Sequence, residues 1–210
     1  MIVAALLLSA AAAPTALDAE RAFAADAQRI GQWSAFRKYA DKDAVIFTPQ
    51  ASWARDFLKG RKDPHRAISW RPAQSFVSCD GRTAVNTGPW FGVSGRVGGT
   101  FTTVWQRTTA GWRWVYDGGG PATGTPSRAR PVEHRAACTG RHSGPPTAPP
   151  PALSASKART TVADNGRGQS ADGTLGWDWK VDGRGNRRFR LFQWDGRRYA
   201  LVINRQYPAR

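Results

Sequence analysis

The sequence is short of cysteine, histidine and acidic residues, and it has no long apolar run. Its longest apolar stretch lies at the N-terminus and falls below the roughly 20 residues that a bilayer-crossing helix needs. Two cysteines, Cys79 and Cys138, allow one disulfide at most. Among the histidines only His65 precedes residue 120, in the hydrophilic stretch RKDPHRA, so no Ser-His-Asp or Cys-His pairing can be assembled there. A phosphate-cradling loop is also missing, because GRVGG and DGGG lack the lysine and the strand-to-helix setting. The array His134-x3-Cys138-x3-His142, with Glu133 beside it, has the spacing of ligands on a helix. Pro131, Gly140 and Gly144 argue against that helix, and a zinc site needs about four ligands. No metal and no cofactor are expected.

The shortage of acids leaves a net charge of +16, supplied mostly by arginine and concentrated after residue 120. Such a field favours anionic partners, here anionic envelope components such as acidic lipid or polysaccharide. Nucleic acid is not expected. In NRRFRLFQWDGRRY (186–199), arginines and aromatics interleave as they would on a stacking platform, but equally as on a half-buried strand.

The N-terminus, MIVAALLLSAAAAPTALDAE, combines a short apolar core with a small-residue run, the pattern of a secretory signal over residues 1–16. It lacks a basic leading segment. The expected location is therefore outside the cytoplasm, in the periplasm. In that compartment an even cysteine count invites a Cys79–Cys138 bridge, which would tether the middle of the chain to the first domain; two separate thiols are the alternative.

Leu17 to Tyr39 carries apolar residues at helical spacing, weakened at Gly31, with Asp18 as its cap. Asp43–Thr48 reads as a strand stopped by Pro49, and Ser52–Lys59 as a second helix closed by Gly60. Alternating segments follow at Ser75–Cys79, Thr83–Thr87, Thr100–Thr108 and Trp112–Asp117, with Asp80-Gly81 and Ala110-Gly111 at hairpin turns. Residues 121–165 hold most of the prolines, including PPTAPPP, and read as an extended linker. Residues 166–210 read as a small β appendage of three strands, with Leu175, Trp177, Trp179 and Val181 on one face. Three such strands are near the lower limit of independent stability, so the appendage should dock on the first domain or on a partner. The fold class is α+β.

Three stretches carry a resemblance: ERAFAADAQRIGQWSAFRKYADKDAVIFTP (20–49), SWRPAQSFVSCDGRTAVNTGPW (69–90) and GTFTTVWQRTTAGWRWVYDGG (99–119). Over residues 18–120 the chain resembles the nuclear-transport-factor-2-like superfamily, and within it the SnoaL-like exported bacterial proteins. That resemblance implies a cone-shaped, curved antiparallel sheet backed by N-terminal helices, with an apolar cavity on its concave side and homodimers formed through the sheet. Enzymes of that fold place Asp, His or Tyr in the cavity as a general base or a donor to an oxyanion.

Candidate cavity residues are Trp33, Phe47, Trp90, Trp105, Trp114 and Tyr116. Strict alternation puts Trp112, Trp114 and Tyr116 on one face and Asp117 on the other, so Asp117 reaches those rings only if a bulge intervenes. The glycines at 118–120 read as a turn. The expected function is an exported, non-catalytic binding or interaction module whose partner is a small apolar ligand or a protein. The alternatives are a ketosteroid-isomerase- or dehydratase-like enzyme using Tyr116 and Asp117, and a binder of anionic envelope components through the Arg-rich C-terminal half.

Overall fold

The computed structural model describes residues 13–121, 130–140, 162 and 164–209. Residues 1–12 of the expected signal segment, PPTAPPP and His142 lie outside them. The helical segment expected at the N-terminus is two helices, α1 (Ala16–Ile30) and α2 (Gln32–Tyr39). They break at Gly31, whose φ of 102° suits glycine and whose hydrogen sits where a Cβ would strike Asp63 at 2.3 Å. Thr15, and not Asp18, is the cap. Its hydroxyl accepts from the Asp18 N–H while the Asp18 carboxylate accepts from the Thr15 N–H, a capping box. Pro14 and Ala16, assigned above to the signal, belong to the folded part: the Pro14 carbonyl accepts from the Trp112 indole and Ala16 is buried. No described helix is long and apolar enough to cross a membrane.

The first sheet has eight strands among the described residues. β1 (Ala40–Phe47), β2 (Ala51–Trp53), α3 (Ala54–Leu58), β3 (Ser69–Trp70), β4 (Gln74–Val77), β5 (Thr83–Phe91), β6 (Val97–Thr108) and β7 (Gly111–Gly120) follow in sequence, and β8 (Val132–Arg135) completes it. The spatial order is β2-β1-β7-β6-β5-β4-β8, with β3 on β5. The sheet is mixed and not wholly antiparallel, because β1 lies parallel to β7 and β8 parallel to β4. β8 also falls inside the expected linker, so that stretch is not a plain spacer: its backbone pairs with β4 and, at Ala137, donates to the Trp194 carbonyl.

The C-terminal unit has four strands where three are expected: β9 (Asn165–Gln169), β10 (Leu175–Val181), β11 (Arg187–Trp194) and β12 (Tyr199–Tyr207), in the order β12-β11-β10-β9. The extra strand, NGRGQ, carries almost no apolar signal. Its glycines are needed inward, where a Cβ on Gly166 or Gly168 would run into the rings of Trp179 and Trp177. This unit docks face to face on the first sheet. Leu175, Trp177, Trp179, Phe189, Leu191 and Ile203 pack with Val45, Phe47, Phe76, Val85, Val104 and Tyr116 in one buried cluster. A second cluster fills the other face, under the helices, around Phe23, Phe36, Ile46, Trp105, Trp112 and Trp114. The Cys79–Cys138 disulfide forms, closing 59 residues of chain between the β4–β5 turn and the segment after β8.

Because both sheets share one core, Phe189→Ala should cost about 3–5 kcal/mol and leave a single urea transition. Tryptophan fluorescence and far-ultraviolet dichroism should report the same midpoint; two separated transitions would show that the sheets fold independently.

Candidate functional site

Strand β7 decides what faces the helices. It pairs with β6 as Val104↔Tyr116 and then Trp105↔Trp114, so Val115 is one residue more than β6 can match. Such a bulge reverses the alternation beyond it. Trp112 and Trp114 point into the helix-side core, Tyr116 into the core between the sheets, and Asp117 back to the helix side. Tyr116 packs on Phe47 and Phe189 at ring distances of 5.4 and 4.8 Å. The alternation expected from the sequence is thus overturned, and so is the pairing of Tyr116 with Asp117 in one cavity. The glycines at 118–120 continue the strand instead of turning, because Gly118 and Gly120 leave room for the rings of Tyr116 and Tyr207.

On the helix side a cavity of about 350 Å³ opens between α2, the end of β1, strands β5–β7 and the docked sheet. Its walls are mostly aromatic: Trp33, Phe36, Phe47, Trp70, Trp90 and Phe101. Of the expected cavity residues, Trp33, Phe47 and Trp90 line it. Trp105 and Trp114 do not, being wholly buried in the core beneath, and Tyr116 lies on the other face. Polar groups at the cavity are Gln32, Thr48, Asp117 and Arg187. Arg187, from β11, donates to the Gly119 carbonyl at 2.9 Å and lies over the rings of Phe47 and Tyr207. Further along the same strand, Arg190 forks onto Asp178 at 2.9 and 2.6 Å, and Phe189 and Leu191 are core.

Asp117 accepts from the Thr103 hydroxyl at 2.8 Å. Burial pushes its carboxyl up to about 8, and the like charge of Glu20 adds to this against the Thr103 bond. Glu20 itself is fully buried on α1, behind the cavity wall. It accepts from the indoles of Trp70 (2.8 Å) and Trp105 (2.7 Å) and from the Asn86 amide (3.3 Å), and burial raises it to about 7 despite these bonds. Glu20 and Arg187 are missing from the sequence-based candidates. A signal for Glu20 exists, since it sits on the stripe Ala16, Glu20, Phe23, Ala27 that α1 buries. None exists for Arg187, which reaches the cavity only through docking of the second sheet.

His65 is exposed in its loop. His134 stacks on Phe76 at 4.8 Å, and Cys138 is spent on the disulfide, so the His134–Cys138 spacing supplies no thiolate ligand. Among the described residues no three His, Cys, Asp or Glu come together as a metal site.

The two raised carboxyls predict an unusual pH dependence. The folded chain holds their protons more tightly than the unfolded chain, so the stabilisation is complete below about pH 4 and is lost as pH rises through about 7 to 8. Asp26 works oppositely: the Lys38 hydrogen bond, with help from Arg29 and Tyr39, lowers it to about 2, and its contribution is lost as pH falls toward that value. Urea midpoints should therefore decline between pH 5 and 9, with a slope of up to about 1.4 kcal/mol per pH unit for each raised carboxyl. Asp117→Asn should flatten that decline; parallel wild-type and variant curves would contradict the assignment.

A scan against protein-family models finds no match, and a search of curated proteins finds none. Among solved structures the chain is similar to a protein proposed to be an aromatic ring hydroxylase from Novosphingobium aromaticivorans, at 19% identity and TM-score 0.36, covering 52% of this chain and 87% of that one. It is also similar to a proposed ketosteroid isomerase from Shewanella frigidimarina, at 12% identity and TM-score 0.37, covering 50% and 95%. The CaMKII hub homology domain of Chlamydomonas reinhardtii follows at 18% identity and TM-score 0.38, covering 50% and 94%.

Proposed function

We propose that the chain is a binding module for a small, planar, largely apolar molecule carrying a hydrogen-bond acceptor. The observation that carries this is a cavity of about 350 Å³, walled by aromatic rings, with a single carboxyl in its lining, Asp117, which burial pushes up to about 8. A protonated carboxyl in an apolar site donates a hydrogen bond to a carbonyl oxygen at little desolvation cost. The rings supply the apolar contact area and prefer flat partners. Export to the periplasm belongs to this reading. It is supported by the signal-like N-terminal sequence and by the Cys79–Cys138 bond, a linkage that persists in oxidising compartments.

A second reading is favoured by the same carboxyl: proton transfer on a bound carbonyl compound, in the manner of an isomerase or lyase, with Asp117 as the base. It uses Asp117 alone, because Tyr116 faces away.

Titration with 2-acetylnaphthalene, followed by calorimetry, separates these readings. Binding should weaken roughly tenfold as pH rises from 7 to 9 and Asp117 loses its proton. Asp117→Asn keeps an N–H donor and should bind equally at both values, while Trp90→Ala should weaken binding at every pH. The hydrocarbon 2-ethylnaphthalene should show no pH dependence. Isomerisation of an unsaturated ketone that rises with pH and vanishes in Asp117→Asn would favour the second reading; no binding of either naphthalene would defeat both.

A further inference from the structure

Glu20 is a carboxyl group with no exposure, placed on a helix whose other buried residues are mainly apolar, and the binding reading makes no use of it. Its surroundings are built around it. Both indole N–H groups that reach it come from the sheet, Trp70 from β3 and Trp105 from β6, and Asn86 on β5 adds a third donor while also donating to the Ala16 carbonyl at 2.9 Å. Trp70 is at the same time a wall of the cavity.

The polar groups between Glu20 and Asp117 form one cross-strand row. Asn86 lies opposite Thr103, and Thr103 lies opposite Asp117. The Thr103 hydroxyl donates a hydrogen bond to Asp117, and the indole N–H of Trp105, two residues along the same strand and on the same face, donates one to Glu20. Two residues of strand span roughly 7 Å, so the two carboxyls are held at neighbouring points of one strand. Two such groups do not both ionise readily. The donors decide which one does: Glu20 receives three N–H groups, Asp117 one hydroxyl. Among the described residues the only other charged group lining the cavity is Arg187.

We propose that Glu20 is a positioning residue for the cavity: it holds the single negative charge of the Glu20–Asp117 pair on its two indoles and the Asn86 amide, and thereby presents Asp117 to the ligand as an O–H donor. Resting on the reading of the cavity as a ligand site, this assigns the ligand's contacting atom as an acceptor, such as a carbonyl or ether oxygen, and rejects a group that only donates, such as an ammonium. The raised values of about 7 for Glu20 and about 8 for Asp117 fall in the order this assignment requires.

The test follows the Asp117 carboxyl by carbon-13 resonance of labelled aspartate side chains, with Asp117→Asn identifying its signal. In Glu20→Gln the like charge is gone, and the Asp117 midpoint should fall by about one pH unit or more. Trp70→Phe keeps a ring on the cavity wall but removes one donor from Glu20. The charge is then less well held there, and the Asp117 midpoint should again move down. If Glu20→Gln does not fold, Trp70→Phe decides alone. An Asp117 midpoint that stays in place in every folded variant overturns the proposal, because a purely structural Glu20 would alter stability without moving that titration. The readout needs no ligand. Failure of the wild-type chain to bind 2-acetylnaphthalene would defeat the binding reading, while the coupling of the two carboxyls would still be read from the titration.

Discussion

At Val115 the strand β7 carries one residue more than β6 can pair, and both cores follow from that mismatch. Before it, the strand sends Trp112 and Trp114 under the helices; after it, Tyr116 turns to the second sheet and Asp117 to the cavity. Without the bulge the carboxyl would face the inter-sheet core, among Phe47, Trp179 and Phe189, where an unpaired charge is costly. The bulge thus resolves a conflict between an apolar interface on one face and a polar site on the other, a use of irregular strand geometry common beside functional sites.

The two sheets divide the labour of burial. The chain's own β9–β12 unit covers the face of the first sheet turned away from the helices, with Trp177, Trp179, Phe189 and Leu191 as its contribution. Several polar ties fix the docking: the Cys79 N–H donates to Thr174, the Asp80 N–H to Asp172, and the Gln193 amide to the His134 carbonyl. One consequence reaches the site. Arg187 enters the cavity from β11, so the second sheet contributes to the cavity as well as to the core.

The sequence made the regular parts legible and hid the irregular ones. Alanine and aromatic spacing marked the N-terminal helices, and alternation marked β5, β6, β7, β10, β11 and β12, because these elements bury one face against a core. The common face of Leu175, Trp177 and Trp179 was readable for the same reason. β8 and β9 were not, since VEHR and NGRGQ are held by backbone pairing along sheet edges and by ring packing over glycine, neither of which leaves an apolar pattern. Trp33, Phe47 and Trp90 line the cavity while Trp105, Trp114 and Tyr116, named with them from the sequence, do not, because composition does not separate a wall ring from a core ring. Asp117 could not be placed there, because a bulge depends on the partner strand's register and not on local composition. Glu20 was visible in principle, as an acid on a buried stripe, but its meaning comes from two indoles 50 and 85 residues away.

The density of tryptophan has two answers in one structure. Trp105 and Trp114 are filler, wholly buried and touching no cavity. Trp33, Trp70 and Trp90 are wall. A cone lined by large rings would ordinarily collapse on itself, since close packing of apolar groups is favourable and an unfilled space forfeits contacts. Several of the rings are held back by the polar ends of their indoles. Trp70 and Trp105 are pinned to Glu20, and Trp112 to the Pro14 carbonyl, so rotating any of these rings into the cavity would strand a buried N–H. The bond from Trp70 ties one wall of the cavity to Glu20, and the Trp105 bond ties Glu20 to the strand whose Thr103 holds Asp117, so a single buried glutamate joins that wall to the polar row beneath it.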